Sequence, residues 1–514
     1  AGADTILFRD TFGIDAIVDS GDVADRDALN FSAVTQAVAG DTTYGDSTVT
    51  TGDAQASYPS GDFEDVLGGS GDDDFQFKDQ EPDGFLVDGG GGSDDVTFLS
   101  GRRARQVGAT DSGTSGSDNV TVLGGSTPDE FLLRAASSGL GQTATDGFVA
   151  RISSDLADRY DYDSTIEDLT VDGGVGDDEF TLDDNASATH VIGGPGADVV
   201  QVGQLYGAAD CEPNGSKEAR CIDTADIASE RGAASGVADA FATTVITRGH
   251  LSNGVTHDLV IDGDDGEDRI TIFSNHAPVT ANGGDANDEF VARAFIVTAS
   301  VQLNGNGDID DFTYVMNDSL TIDGGAGTDT FTVVGTEAND GVIVGSEAGL
   351  PTIRVCKLDA TTGRPNPGEC AISAVVDDVE IFSVLGLEGD DVFWVQDTAA
   401  TSLVTLSGGE HSDRFLVGDG TLDGIAGPVV AAGDDPGLVP AIPDPVVLPG
   451  EDETKSFDPA VTGGTDVGDT LEIDASASTD GLTGEITDVF VRDLGMAAGP
   501  FTAGSDADVV TSDE

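Results

Sequence analysis

Basic residues are scarce in this 514-residue chain: 21 Lys and Arg residues stand against 97 Asp and Glu residues, for a formal net charge of −76. This nearly excludes nucleic acid as a partner, because binding to phosphates needs basic side chains. Carboxylates at this density repel one another in a folded chain, so we expect multivalent cations or high salt to neutralise them. The alternative is a solvated acidic surface typical of a halophile, which needs no specific ion.

Long hydrophobic runs are also absent. No segment approaches 18 apolar residues, so we expect no membrane-spanning helix. The chain begins at Ala1 without an initiator Met or a signal peptide, which is typical of a mature or excised fragment. Its four cysteines form two close pairs, Cys211 with Cys221 and Cys356 with Cys370. We therefore expect two local disulfides and an oxidising, extracellular compartment.

Catalytic signatures are missing as well. The chain has no G-x-S-x-G, H-E-x-x-H or phosphate-loop motif, and its five histidines lack metal-ligand spacing. We therefore predict that it is not an enzyme. The alternative is a carbohydrate-active β-helix enzyme, a polysaccharide lyase or epimerase, although four lysines are few for binding uronates. The basic cluster Arg102–Arg105 would make a salt bridge between repeats or dock an acidic neighbour or a polysaccharide.

Glycine, in contrast, is abundant, with 71 residues, and much of it belongs to a repeat. Leu169–Gly203 and Phe382–Gly418 align along their length, and Val66–Phe98 and Leu259–Val291 are further copies. Each copy has an alternating strand, a Gly-Asp turn, a second alternating strand and a return. Such short strands cannot bury a face alone, so successive coils must stack. This predicts an all-β parallel β-solenoid with about 20 residues per coil.

The composition divides the chain into four predicted regions. An N-terminal β segment, read as a truncated repeat, spans 1–60. The solenoid spans 61–427, with inserted loops at about 99–165, 203–257 and 335–380. A Pro-rich linker spans 428–455, and a C-terminal segment of a different β-strand repeat spans 456–514.

Five of the Gly-Asp turns match the nonapeptide GGxGxDxUx, starting at Gly68, Gly89, Gly173, Gly193 and Gly324. On these residues the chain resembles the RTX, or hemolysin-type, calcium-binding repeat family, and its wider arrangement resembles long extracellular β-strand-repeat adhesins and surface filaments. The resemblance covers about half of the chain. RTX β-rolls repeat every nine residues and carry ions along both edges. Here the motif recurs once per coil, so we expect a wider coil, with room for a third side, and one edge of calcium sites.

The residue types also favour calcium on physical grounds. Glycine permits the positive φ that turns carbonyls inward, and Asp supplies a carboxylate. Calcium takes 6–8 oxygens, more than one short turn offers, so adjacent coils must share each ion. The alternative is that Gly-Asp simply makes tight turns closed by Asx hydrogen bonds. We predict multiple Ca²⁺ ions with ligands at the sixth position of ten turns: Asp73, Asp94, Asp178, Asp198, Asp268, Asp288, Asp310, Asp329, Asp391 and Asp413.

Several turns depart from the motif, since Asp264, Ala286, Leu387 and His411 replace motif residues, and we expect weak or no binding there. Trp394 lies one residue after the apolar motif position Phe393, so we expect its side chain to face outward. There it would be either surface packing or a ligand contact. The apolar member of each motif should point into the solenoid and stack on its neighbours: Phe75, Val96, Phe180, Val200, Ile270, Phe290, Phe312, Phe331, Phe393 and Phe415.

Together these features predict a secreted, calcium-stabilised structural or adhesive protein, such as an adhesin, a surface-layer protein or an extracellular filament component. The expected partners are calcium ions, further copies of the chain in a filament or layer, and a cell-surface polysaccharide.

Overall fold

The fold is known from a computed structural model. It describes residues 4–10, 14–16, 26–43, 46–51, 54–58, 63–77, 84–100, 106–136, 146–153, 156–206, 243–246, 249–297, 299–316, 318–336, 338–433, 443–446, 448, 468–478, 485–486, 490–492 and 508–512. Within these ranges all regular structure is β-strand. No helix among these residues has the length and apolarity that a membrane crossing requires.

The strands belong mostly to two large sheets, called here sheet A and sheet B, and three of them form a separate small antiparallel sheet. In chain order they are β1 (Thr5–Arg9), β2 (Ile14–Ala16), β3 (Ala28–Ala33), β4 (Ala39–Thr43), β5 (Asp46–Thr51), β6 (Ala54–Tyr58), β7 (Asp65–Leu67), β8 (Asp74–Phe77), β9 (Phe85–Asp88), β10 (Asp95–Leu99), β11 (Gln106–Thr110), β12 (Asn119–Leu123), β13 (Glu130–Ala136), β14 (Asp146–Ser153), β15 (Leu156–Tyr162), β16 (Asp168–Asp172), β17 (Glu179–Leu182), β18 (Ala188–Ile192), β19 (Val199–Val202), β20 (Leu205–Tyr206), β21 (Thr243–Ile246), β22 (Gly249–Ser252), β23 (Leu259–Asp265), β24 (Arg269–Asn275), β25 (Val279–Asp285), β26 (Glu289–Val297), β27 (Val301–Asp308), β28 (Asp311–Val315), β29 (Leu320–Asp323), β30 (Ala326–Gly327), β31 (Thr330–Val334), β32 (Gly341–Glu347), β33 (Leu350–Leu358), β34 (Pro365–Asp377), β35 (Ile381–Leu385), β36 (Val392–Val395), β37 (Leu403–Ser407), β38 (Arg414–Val417), β39 (Val429–Ala432), β40 (Thr470–Ile473), β41 (Glu485–Ile486), β42 (Phe490–Arg492) and β43 (Asp508–Ser512).

The chain divides into two compact units. Unit 1 comprises Ala1–Asp265, Phe273–Val279 and Pro443–Phe457. Unit 2 comprises Gly266–Ile272, Thr280–Ile442 and Asp458–Glu514. Both units are built from mostly parallel strands of the two sheets.

Equivalent residues of successive coils pair in parallel register. In unit 1, β17 pairs with β19 so that Phe180 faces Val200, 20 residues later. In unit 2, Phe290 of β26 faces Phe312 of β28, and Phe312 faces Phe331 of β31, at separations of 22 and 19 residues. These separations confirm the predicted parallel β-solenoid of about 20 residues per coil.

The core of each unit is a stack of the apolar motif residues. All ten that were predicted to point inward are buried, with exposures of 3% or less. In unit 1 the rings of Phe131 and Phe180 stack at 5.3 Å, and in unit 2 those of Phe290 and Phe312 stack at 4.8 Å. Alternating strands place every second side chain on the inner face, which is why the period-two pattern identified the core.

Several antiparallel excursions interrupt the coils, among them β4, β5 and β6 in unit 1 and the two described next. In unit 1, β13, β14 and β15 form an antiparallel meander. In unit 2, β32, β33 and β34 form another, and a disulfide joins Cys356 to Cys370 across β33 and β34, as predicted. The other predicted pair, Cys211 and Cys221, and the basic cluster Arg102–Arg105 lie outside the described residues.

Part of the predicted Pro-rich linker packs on unit 1. Leu448 is 6% exposed and belongs to a core cluster with Leu132, Phe148 and Ala150. The backbone of Val446 donates to the side chain of Gln204 and accepts from its amide nitrogen at 3.3 Å. The composition of this segment gave no sign of this docking.

Candidate metal centre

The ten predicted calcium ligands are all buried. Each of these Asp side chains lies at the end of a Gly-Asp turn, immediately before a strand, with an exposed fraction of 3% or less. Burial of a carboxylate costs free energy unless hydrogen bonds or a counter-charge compensate it. The contacts of the two carboxylate oxygens therefore decide what these residues do.

One oxygen of each such side chain is used to join coils. In unit 1 the backbone N–H of Asp73 donates to Oδ1 of Asp94 at 2.8 Å, and that of Asp178 donates to Oδ1 of Asp198 at 2.7 Å. Each Asp thus donates its N–H to the next coil's Asp and accepts at Oδ1 from the coil before. We call such a series an aspartate column.

Unit 2 repeats this arrangement. The N–H of Asp288 donates to Oδ1 of Asp310 at 2.8 Å, and that of Asp310 donates to Oδ1 of Asp329 at 2.9 Å. A separate column contains Asp391 and Asp413, where the N–H of Asp391 donates to Oδ1 of Asp413 at 2.9 Å. The turns that sequence reasoning aligned are therefore brought together in stacked order.

The columns lie at two edges of the coil. In unit 1 the turns ending at Asp73 and Asp94 lead from sheet A to sheet B, whereas those ending at Asp178 and Asp198 lead from sheet B to sheet A. In a coil that always winds the same way, these two kinds of connection occur at opposite edges.

Unit 2 also contains both kinds of turn. The turn ending at Asp288 leads from β25 to β26, from sheet B to sheet A, and the turn ending at Asp391 leads from β35 to β36, from sheet A to sheet B. The expectation of a single edge was therefore wrong. It was wrong because the position of the motif within the repeat changes along the chain, and this is visible only once each strand is assigned to a sheet.

Sequence reasoning missed further members of the columns. Asp118 accepts from the N–H of Asp94 at 2.8 Å, and Asp469 accepts from that of Asp413 at 2.9 Å. Glutamates fill the same place elsewhere, since Oε2 of Glu380 accepts from the N–H of Asp329 at 2.9 Å. These turns lack the Gly-Gly pair. Their remaining signal is an acidic residue directly before an alternating strand.

The second carboxylate oxygen divides the turns into two groups. In three of them Oδ2 accepts from the backbone N–H of the turn's own second residue: Gly69 to Asp73 at 2.6 Å, Gly125 to Asp129 at 2.7 Å and Thr336 to Asp340 at 2.7 Å. Each of these is the first turn of its column, and we call them the column-first turns.

In the turns that follow, here called interior turns, Oδ2 is buried without such a partner. Among the described residues no hydrogen-bond partner is found for this atom in seven of the ten predicted ligands: Asp94, Asp178, Asp288, Asp310, Asp329, Asp391 and Asp413.

Backbone conformation at the second turn residue accounts for this difference. In interior turns this residue is left-handed, with φ of 92° at Gly194 and 93° at Gly409. Its N–H then donates to the adjacent coil, from Gly194 to the carbonyl of Gly263 at 3.1 Å and from Gly409 to that of Gly433 at 2.7 Å. At these two turns the N–H is therefore used in coil stacking and does not reach Oδ2, whereas the N–H of Gly174 donates to Oδ1 of Asp172 in its own turn at 2.9 Å.

The first glycine of each interior turn is required by the oxygens around it. A Cβ at Gly386 would lie 2.2 Å from Oδ2 of Asp391 and 2.3 Å from the carbonyl oxygen of Gly408 in the next coil. At Gly305 the equivalent distances, to Asp310 and Gly324, are 2.2 and 2.6 Å. A carboxylate oxygen and a carbonyl oxygen converge in this way beside the first glycine of five of the seven interior turns named above: Gly173, Gly305, Gly324, Gly386 and Gly408.

The pKa values of these carboxyls reflect both burial and partners. Burial raises the pKa of Asp391 to about 8, with Asp340 and Asp413 adding like charge, while the N–H of Asp340 lowers it. Burial raises the pKa of Asp73 only to about 6, because hydrogen bonds from Gly69 and Val38 lower it. Asp391 therefore has a greater need of a positive charge than Asp73. Burial raises the pKa of the interior Asp94 and Asp310 to about 6, as at Asp73.

A cation does occupy one column end. The Nε of Arg151 donates to Oδ1 of Asp129 at 2.8 Å, and its Nη2 contacts the same oxygen. No preceding coil supplies an N–H there, and a guanidinium takes its place. Positive charge is thus an acceptable partner for a column carboxylate.

The interior turns offer the kind of donors that calcium uses. Calcium binds oxygens, both carboxylate and backbone carbonyl, and the two occur together beside five of the seven interior turns named above. Within the described ranges no three His, Cys, Asp or Glu side chains cluster around one point, so an ion here would take one carboxylate per coil together with carbonyl oxygens. The donor set therefore fits Ca²⁺, with ligands drawn from stacked coils.

Trp394 belongs to another face of unit 2. It is half-buried, its indole N–H donates to the carbonyl of Gly418 at 2.8 Å, and the guanidinium of Arg364 lies 5.7 Å from its ring centre. These contacts favour surface packing over a ligand contact as the role of Trp394.

No protein-family model matches the chain, and no curated protein matches it.

Proposed function

We propose that this chain is a calcium-stabilised β-solenoid that serves as a secreted structural or adhesive protein at a cell surface. The observation that supports this most is the repeated buried carboxylate oxygen for which no hydrogen-bond partner is found among the described residues, in the seven interior turns named above. Repetition of an uncompensated charge along a column needs a repeated counter-charge.

Calcium would be held by the seven interior carboxylates named above, together with carbonyl oxygens of adjacent coils. Its chemistry there is charge neutralisation and cross-linking of stacked turns. Asp73 is not assigned a ligand role, because both of its oxygens already accept from backbone N–H groups, at 2.6 Å from Val38 and from Gly69. Asp198 and Asp268 stay predictions.

Ion binding of this kind would couple folding to the calcium concentration. Without calcium the interior carboxylates oppose stacking, and with calcium the binding free energy becomes folding free energy. A chain with a net charge of −76 would remain expanded where calcium is scarce and fold where it is abundant. This supports an extracellular location, as does the Cys356–Cys370 disulfide.

The proposed role is structural and assigns no reaction to the chain. Coils that carry the same contacts make length and stiffness the useful properties, as in an adhesin, a surface layer or an extracellular filament. Self-association and polysaccharide binding are parts of this proposal, and the resemblance to RTX repeats and β-strand-repeat adhesins favours them.

The test is a calcium titration of the full chain after chelation, followed by far-UV circular dichroism and thermal melting. We expect a cooperative gain of β signal and a rise in melting temperature of about 10 °C. Magnesium, which demands octahedral geometry and dehydrates reluctantly, should give little change at equal concentration.

Sodium chloride at matched ionic strength is the control for screening. If sodium reproduces the calcium effect, the acidic surface of a halophile explains the composition and the ion proposal is wrong. A folded spectrum that the chelator does not alter would mean that Gly-Asp turns are closed by hydrogen bonds alone.

A further inference from the structure

A cleft of about 380 Å³ lies in unit 2, away from the aspartate columns. One wall is the tip of the β32–β33 hairpin, from Val344 to Thr352, and the other is the loop from Asp397 to Ser402. Phe382 and Val404, which are 3% and 2% exposed, lie at its floor. Its volume is within the range of small-molecule sites.

The walls are held in place by hydrogen bonds. Oδ2 of Asp397 accepts from the backbone N–H of Ser346 at 3.1 Å, which links the two walls. In the loop, Oγ1 of Thr398 donates to the carbonyl of Gly427 at 3.0 Å and accepts from its N–H at 2.8 Å. The cleft is thus formed before any ligand arrives, which limits the entropy lost on binding.

The lining combines an apolar floor with hydroxyl groups and one carboxylate. Ser346, Thr352 and Ser402 contribute hydroxyls, and Asp397 contributes acceptor oxygens. Thr352 is 1% exposed, and its Oγ1 has no hydrogen-bond partner in the part of the chain that is described. This atom is itself enclosed, so the polar side chains of the lining that are open to a ligand are the exposed Ser346 and the half-buried Asp397.

The charge of the lining restricts the ligand further. The residues around the cleft include no Lys, Arg or His, so a phosphate or carboxylate ligand would meet only Asp397. A neutral ring with several hydroxyls and an apolar C–H face matches the carboxylate, the hydroxyls and the Phe382 floor at once. An ammonium ion would use Asp397 but leave the hydroxyls and the floor without a role.

We propose that this cleft binds a neutral sugar residue. This proposal rests on the adhesive function proposed above. It names the site and the class of ligand by which the chain would bind a surface polysaccharide. The binding itself is independent of the calcium sites.

The test is saturation-transfer NMR on the full chain with the methyl glycosides of glucose, galactose, mannose and N-acetylglucosamine. We expect saturable binding of at least one, with a Kd of about 1 mM, as befits a ligand of this size. Glucuronate and tetramethylammonium are the charged controls, and each should bind at least roughly tenfold more weakly.

Gly345→Leu blocks the cleft without removing any of its hydrogen-bonding side chains. A Cβ at Gly345 would meet nothing closer than 3.5 Å, so the backbone tolerates the change, and the side chain would occupy the cleft. We expect a loss of sugar affinity of roughly tenfold or more. Gly368→Leu is the matched control, since Gly368 lies on β34 outside the lining and its Cβ would also meet nothing closer than 3.5 Å.

Absence of saturable binding for all four glycosides up to about 50 mM would overturn the proposal. Equal affinity of wild type and Gly345→Leu, or tighter binding of tetramethylammonium than of any sugar, would overturn it as well. A calcium-dependent melting temperature with no sugar binding rejects the cleft alone, and sugar binding in a chain indifferent to chelators rejects the ion proposal alone.

Discussion

Column-first and interior turns have the same motif and the same buried carboxylate, yet they satisfy it differently. At Asp73 two backbone N–H groups saturate the side chain, whereas Oδ2 of Asp391 has no hydrogen-bond partner among the described residues. Both turns are stacked between coils, and they differ in the backbone of the second turn residue, which is left-handed at Leu387 and outside the left-handed region at Gly69. The Gly-Asp motif alone therefore does not decide whether Oδ2 accepts a hydrogen bond from its own turn.

Glycine content does not follow this division. The column-first turn at Gly68 matches the motif in full, and the interior turn at Gly386 has Leu387 in place of the second glycine. Leu387 nevertheless adopts the left-handed φ of 77° that interior turns require. A turn that looks degenerate in sequence is thus the one with the greater electrostatic need.

Substitution of the first glycine of a turn should have the largest effect on stability, and the effect should be the same in column-first and interior turns. Gly386→Ala and Gly68→Ala should each cost about 3 kcal/mol in the free energy of unfolding, because the Cβ would collide with backbone oxygen at 2.3 and 1.9 Å. Chemical denaturation measures the change. Gly91→Ala is the control, since a Cβ there meets nothing within 4 Å. A loss at Gly91 as large as at Gly386 would contradict the steric explanation.

The second oxygen is where the two kinds of turn should differ. Asp391→Asn should lose about 2–3 kcal/mol of stability in saturating calcium and little or none in chelator, because only the ion-bound form needs the free carboxylate. Asp73→Asn should lose a similar amount in both conditions, because its amide would face an N–H that now donates to Oδ2. Melting curves of both variants, with and without calcium, give the comparison.

That experiment also separates calcium from a proton as the partner of Oδ2. A protonated carboxyl can be replaced by an amide donor, so Asp391→Asn would then be neutral or stabilising in every buffer. Identical calcium responses of wild type and Asp391→Asn would count against the ion.

In chelator, the columns predict stability that falls with rising pH. Burial raises the pKa of Asp391 from its ordinary value of 3.8 to about 8, so the folded state binds more protons than the unfolded state between these values. Asp340, Asp390 and Asp413 face it with like charge. The stabilising contribution of protonation is complete below about pH 4 and is lost as the pH rises to about 8.

We expect the melting temperature in chelator to be about 5 °C higher at pH 5 than at pH 8.5. Asp73, with a pKa raised only to about 6, should complete its change at lower pH than Asp391. Calcium should remove or reverse the trend, because it competes with protons for the carboxylates. A melting temperature that increases with pH in chelator would contradict the conclusion that burial raises the pKa values of the column carboxyls.

The smallest effect concerns strain at the second turn residue. Asn306, the exposed second residue of the turn ending at Asp310, has a left-handed φ of 77°, so Asn306→Gly should stabilise unit 2 by about 0.5 kcal/mol, because this φ is less favourable for a residue with a Cβ than for Gly. Thr336, which holds the same place in a column-first turn, is outside the left-handed region, so Thr336→Gly should destabilise. Denaturant midpoints of the two variants should therefore move in opposite directions.

The periodic parts of the fold were predictable from the sequence. Alternation identified the strands and the buried Phe ladder, and Gly-Asp turns gave the coil length, because both depend only on local spacing. The ten aspartates were found for the same reason. The hydrogen bonds of each carboxylate oxygen were not predictable, since they depend on the backbone conformation of the second turn residue and on which N–H groups the neighbouring coils supply.

Features that join residues far apart in sequence were missed. The buried pair Arg134 and Asp183, at 2.7 Å, is covered by Val446, more than 300 residues later in the chain than Arg134. Arg134 is 1% exposed, and nothing in its local sequence distinguishes it from a surface arginine. A Pro-rich composition indicates an extended backbone but not the surface on which it lies.

The hydrogen bonds of the aspartate columns make every interior coil interchangeable, since each offers one N–H and one Oδ1 to its neighbours. A duplication or deletion of a whole coil would preserve every such bond, whereas insertion of one residue in a strand would turn its core face outward. The same interchangeability lets a folding chain slip by one whole coil at little cost. Only unrepeated features, such as the β13–β15 meander with Arg151 on Asp129, distinguish the correct register. These excursions therefore fix the register in which the coils stack during folding.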